Sequence, residues 1–209
     1  MYQEEMVEGG IYHVCNKSIA KFRIFSHDHE YLRMLHMIRF YQIQEAKISF
    51  ANFIQMKAVQ EGDIHLQLDR FSLNKEKCVE ILGYCLMPTH VHFIIRQKMG
   101  KRISIFMSNL LNSYTRYFNV KYKRKGPLWV GRFKRILVET DEQLCHLTRY
   151  LHLNPVSAGL VSKPEDWRYS SYEQYLFPDP EQGPICQLDK VTKIVPENYK
   201  KFVEDYVDY

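Results

Sequence analysis

The sequence predicts an α+β fold built as one domain with an extension, and three observations predict it. Short runs rich in β-branched and aromatic residues near 11–16, 79–87, 90–97 and 132–139 read as strands. Residues 28–46, 103–122 and 141–153 instead repeat apolar side chains at helical spacing. A chain of 209 residues, 45% hydrophobic and 14% aromatic, is long enough to bury one substantial core.

Taken in order, Ile11 to Asn16 follows Gly9-Gly10 as a first strand and carries His13, which is either an active-site or DNA contact or a satisfied structural histidine. Ser26 is the expected N-cap of the helix over 28–46, where Leu32, Leu35, Ile38 and Phe40 form the apolar face and Met34 and Met37 fill the core. His27 and His29 fall at that helix start. Two positions on a helix are about 200° apart, so this pair reads as surface rather than as a chelate.

Residues 48–71 read as an antiparallel hairpin, because Ile64, Leu66 and Leu68 alternate with polar residues after Glu61-Gly-Asp63. The strands at 79–87 and 90–97 meet at Pro88-Thr89. The long helix over 103–122 buries Ile103, Phe106, Met107, Leu110, Leu111, Tyr114, Tyr117 and Phe118 and stops at Gly126-Pro127. After the strand at 132–139, Thr140 and Gln143 fit a capping box, Leu144, Leu147 and Leu151 form a stripe, and Pro155 is the expected stop. His146, Tyr150 and Asn154 are spaced by four and so share one face of that helix. Beyond it the chain is proline-rich, with a short element over 170–177 and an amphipathic helix over 197–207.

No apolar run approaches the roughly 18–20 residues that span a bilayer, and the N-terminus is acidic where a signal peptide is basic, so a cytoplasmic, non-membrane protein is expected. Five cysteines form no C-x-x-C, which argues against a disulfide framework or a thiolate zinc site. The net charge of +5 permits nucleic-acid binding without requiring it. The cations do cluster, however: Lys121, Lys123, Arg124 and Lys125 are followed by Arg132, Lys134 and Arg135, with Trp129 among them, a pattern suited to phosphate contacts and base stacking or to a solvated face.

His90 and His92 open the strand over 90–97. Side chains alternate along a strand, so both imidazoles project to one side, where they can hold one ion or serve as hydrogen-bonded structural residues.

Cys85-Leu-Met-Pro-Thr-His-Val-His92 and Arg149-Tyr-Leu-His-Leu-Asn-Pro-Val-Ser-Ala-Gly-Leu160 resemble motifs of the REP-associated tyrosine transposases, relatives of the single-tyrosine HUH transposases. Tyr12-His-Val14, Tyr114 to Asn119, Gly126 to Lys134 and Trp167 to Tyr172 are similar to the family pattern too, although Thr89 stands where asparagine is common. The resemblance implies a ferredoxin-like antiparallel sheet with helices on one face. The chain then divides into a catalytic domain over 1–155 and an extension over 156–209, with the hairpin at 48–71 an insertion longer than the family's usual link at that point. Carried over residue by residue, it makes His90 and His92 metal ligands, Asn154 the third ligand and Tyr150 the nucleophile, with Mg²⁺ or Mn²⁺ as the cofactor. His146 and His13 are further candidates, and Lys123, Arg124, Lys125, Trp129, Arg132, Lys134 and Arg135 are candidate DNA contacts.

The residue types suit the implied reaction. A divalent ion neutralises and polarises a phosphodiester, and a phenol with pKa near 10 is a good enough leaving group for a reversible nick. The resemblance specifies a 5′-phosphotyrosine on single-stranded or hairpin DNA, by a monomer or homodimer. Two rivals are a non-catalytic module that binds single strands on its sheet and a metal-independent phosphoesterase, which would want two H-x-T or H-x-S strands.

Overall fold

The computed structural model describes residues 5–43, 48–177, 185–191, 193, 195 and 197–205. In chain order these form β1 (Ile11–Lys17), α1 (Asp28–Tyr41), α2 (Phe50–Ile54), α3 (Lys57–Gln60), α4 (Ile64–Ser72), β2 (Val79–Met87), β3 (His90–Gln97), α5 (Arg102–Lys121), β4 (Lys134–Val138), α6 (Asp141–Ser157), α7 (Tyr172–Leu176) and α8 (Tyr199–Glu204). The strands make one antiparallel sheet in the order β2-β3-β1-β4, the ferredoxin-like arrangement expected from the sequence.

Alternation decides what each face of the sheet meets. Tyr12 and Val14 of β1 share a face with Val91, Phe93 and Ile95 of β3, and this face packs on the buried stripes of α1 and α5. His13, Cys15 and Lys17 point the other way, alongside His90, His92 and Ile94. The expected helices on one face are therefore only part of the architecture. Leu144 and Leu151 of α6 cluster with Leu82, Cys85, Met87 and Ile94, so α6 covers part of the second face. Its approach is close at Gly83, where an added Cβ would stand 3.1 Å from Leu151 Cδ2, beside a register shift between Ile81 and Gly83.

Four expectations about elements are corrected. The segment at 48–71 is not a hairpin but α2, α3 and α4. Ile64, Leu68 and Phe71 turn to the core at helical spacing while Leu66 is 49% exposed, and Asp63 Oδ1 caps α4 by accepting from Leu66 N at 2.9 Å. The N-cap of α1 is His27, not Ser26, and Glu30 Oε2 reaches back to accept from the backbone N–H groups of both. Because His27 is extended rather than helical, its ring stacks on that of His29, 5.5 Å between centroids, instead of pointing away; both remain exposed.

The third correction is that α6 runs through Pro155 to Ser157. Its stop is Gly159, at φ +66°, where Leu160 N bonds Pro155 O and Gly159 N bonds Val156 O, a Schellman ending that only the glycine accommodates without strain. Lastly, α1 ends at Tyr41, and 44–46 of the expected helix lie outside the described residues. The late helix is α8 over Tyr199–Glu204, with Tyr206 and Val207 likewise outside.

The C-terminal segment packs along the outer edge of β2. Leu86 N bonds Tyr169 O, Ser171 N bonds Tyr84 O, and Ile81 exchanges hydrogen bonds with Gln187 through both N–H and C=O. That strand edge is thus paired rather than left open.

Candidate functional site

The site forms where β3, β1 and α6 meet on the second face of the sheet. His90 and His92 leave β3 on that face with ring centroids 4.9 Å apart. His92 is buried and His90 half-buried. Burial lowers the pKa of both, helped by the Lys17 charge; for His92, where His90 and His13 add to the effect, the value is pushed down to about 3. Neutral imidazoles are the form that ligates a metal.

Each ring is held at one nitrogen. Thr89 Oγ1 lies 2.9 Å from His90 Nδ1, and His13 Nε2 lies 2.9 Å from His92 Nδ1. The sequence reading left the role of His13 open, and the structure brings it into the site. Its ring lies nearly coplanar with that of His92, with centroids 5.2 Å apart and planes 15° apart.

Tyr150 completes the cluster from above. It is 51% exposed, and its ring stands edge-on to His92 and His13 at 6.1 and 6.2 Å. Asn154, one turn on, donates from Nδ2 to Tyr150 O at 3.1 Å, which leaves its amide oxygen available as a hard ligand. Its position is not frayed, because the helix continues past it. Tyr114, by contrast, is buried in the core and donates its hydroxyl to Ile24 O at 2.5 Å, and burial raises its pKa far above the ordinary value.

His146 shares the helix but not the cluster. Its Nδ1 lies 2.7 Å from the guanidinium of Arg149 and its ring adjoins Phe202 of α8. Among the described residues no group of three or more His, Cys, Asp or Glu is arranged to hold a metal ion. The donor set nevertheless fits a divalent cation of the Mn²⁺ or Mg²⁺ type. His90 and His92 offer two neutral imidazoles anchored at Nδ1, and oxygen ligands would come from Asn154 and from a bound anion.

The basic segment divides. Trp129 is a core residue, 8% exposed, donating from Nε1 to Leu111 O, so it is no surface stacking platform. Arg124 is tied to Asn119 Oδ1 and Pro127 O, while Lys123 and Lys125 are exposed. Lys134 pairs with Cys15 and therefore lies on the histidine face; Arg135 pairs with Val14 on the other, where it lines a groove of about 440 Å³ with Arg132, Ser104, Ser108 and Asn112. Lys17, opposite His90 in the β1–β3 register, is an exposed cation beside the site that the sequence reading missed. Its signal was the period-2 spacing from His13.

Residues 58–154 match the family model described as "Transposase IS200 like", a span that contains His90, His92, Tyr150 and Asn154. A Haemophilus influenzae protein named as a REP-associated tyrosine transposase is 29% identical over 106 residues. The chain is thus similar to REP-associated tyrosine transposases over part of its length. The alignment with the Haemophilus influenzae transposase covers 46% of this chain and spans 60% of that relative's length. A solved REP-associated tyrosine transposase bound to a REP hairpin has the same fold, with a TM-score of 0.54, 17% identity and coverage of 91% of this chain and 92% of that one. Among the described residues no helix is long and apolar enough to cross a membrane.

Proposed function

We propose that this chain is a metal-dependent DNA nicking and joining enzyme of the transposase type that acts on single-stranded or hairpin DNA through Tyr150. The observation that carries the reading is one exposed tyrosine, on a helix over the second face of the sheet, with its ring edge-on to His92, which with its neighbour His90 forms a pair of imidazoles anchored at Nδ1. A divalent cation bound there supplies charge neutralisation and polarisation of the scissile phosphate. His90, His92 and the Asn154 amide oxygen would hold it.

Tyr150 does the bond exchange. Its phenol oxygen attacks phosphorus, the phenol proton is lost, the bond from phosphorus to the 3′-oxygen breaks, and that oxygen takes up a proton. The product is a 5′-phosphotyrosine with a free 3′-hydroxyl, and attack by a 3′-hydroxyl reverses the step and rejoins the strand without external energy. Lys17 and Lys134, flanking the histidines on the same face, are suited to phosphate contacts.

Calorimetry tests the metal half of this reading. Wild-type protein should bind Mn²⁺ at least as tightly as Mg²⁺, and His90→Ala with His92→Ala should weaken Mn²⁺ by on the order of 100-fold or more, because both nitrogen ligands are lost. Unchanged affinity in the double variant would leave a DNA-binding module without this chemistry.

A further inference from the structure

His13 lies outside residues 58–154, which match the family model, yet its Nε2 stands within hydrogen-bond distance of His92 Nδ1, at 2.9 Å. A contact between two imidazole nitrogens holds one proton, and the two ways of placing it have different consequences. If His13 donates, His92 carries its own proton on Nε2 and has no lone pair left for a cation. If His92 donates from Nδ1, its Nε2 lone pair is open.

We propose that His13 accepts the His92 Nδ1–H and is a positioning residue that holds His92 in the tautomer able to ligate a divalent cation. The inference rests on the metal reading of the site. Two features of the sheet support it. In the β1–β3 register Cys15 sits opposite His92 and His13 opposite Ile94, so His13 is the diagonal neighbour of His92 on the same face and reaches it without leaving the strand. The two rings are nearly coplanar, 15° between planes, the alignment in which an N–H of one points at the lone pair of the other. His90 is treated in the same way, since Thr89 Oγ1 engages its Nδ1 at 2.9 Å. Both candidate ligand rings are thereby held at Nδ1 and present Nε2, the arrangement in which a partner behind a metal-bound histidine sets tautomer and ring angle.

Nitrogen-15 NMR of histidine-labelled, metal-free protein at neutral pH reads the tautomer directly. His92 should carry its proton on Nδ1 in wild type and in His13→Gln, whose amide oxygen can accept the same bond, and should shift toward the Nε2–H form in His13→Ala. Mn²⁺ affinity should weaken about 10–100-fold in His13→Ala and recover in His13→Gln. Pulsed EPR of bound Mn²⁺ should show two coupled imidazoles in all three proteins. An Nε2–H tautomer in wild type, or unchanged affinity in His13→Ala, overturns the role of His13. So does a third coupled imidazole that disappears in His13→Ala, which would make His13 a direct ligand. Absence of Mn²⁺ binding in wild type overturns the metal reading itself, a result distinct from these.

Discussion

The side chains that matter most owe their positions to strand periodicity. His90 and His92 share a face because they are two apart on β3, and that much follows from the sequence. What the sequence could not supply is the partner strand: His13, Lys17 and Cys15 join the site only because β1 pairs beside β3, a register that no local pattern encodes. Trp129 shows the opposite failure. An aromatic among cations reads as a stacking platform, but its indole N–H found a carbonyl inside the core. Lys17 and Lys134 carry a prediction at this scale. Binding of a hairpin with single-stranded flanks should lose about 0.7 from the slope of log affinity against log salt for each alanine substitution that removes a phosphate contact. A slope unchanged in Lys17→Ala with Lys134→Ala would show that the DNA does not cross this face.

Among the elements, the helices with long regular stripes were legible and the short ones were not. α5 buries the expected Ile103 to Phe118 stripe, with Tyr117 half-buried at its margin. At 64–68 the apolar residues satisfy both periods over five positions, and only Phe71, packed against the core at i+7 from Ile64, and the Asp63 cap favour the helix. In sequence Pro155 marks a helix end, but α6 continues through it. A proline one turn before Gly159 costs the helix one hydrogen bond but does not stop it when the residue is packed in the interior, as Pro155 is. The extra turn keeps Asn154 helical and therefore on the same face as Tyr150, so the candidate site depends on it.

At the scale of the whole molecule, His152 is where α6 meets the C-terminal segment. It is fully buried, with Nδ1 2.7 Å from Tyr199 OH and Nε2 2.8 Å from Ser171 Oγ, while Ser171 in turn bonds the backbone of Tyr84 in β2. One imidazole thus links α6 to α8 and, through Ser171, to the edge of the sheet. Neither contact was foreseeable from a proline-rich tail with few periodic residues. Burial holds the His152 pKa at about 3, below its ordinary value of 6.5. Between those values the unfolded chain binds a proton that the folded chain does not, so stability is full above about pH 6.5 and falls as the pH drops toward 3. Urea unfolding should show wild type losing about 2–3 kcal/mol more than His152→Gln between pH 6.5 and 4.5, at up to about 1.4 kcal/mol per pH unit. Equal losses in the two proteins would mean that the buried imidazole is protonated in the folded state.

The central claim of the proposed function is that Tyr150 is the nucleophile. The decisive measurement is covalent adduct formation, read as a shifted protein band after incubation with a labelled DNA hairpin carrying single-stranded flanks and Mn²⁺. Wild type should form the adduct. Tyr150→Phe, which removes one exposed oxygen and no packing, should reduce it by on the order of 10⁴-fold or more while DNA and Mn²⁺ binding stay within about twofold. An adduct that survives in Tyr150→Phe would contradict the account at its centre, because the phosphate would then be attacked by a group other than the one that α6 carries to the histidines.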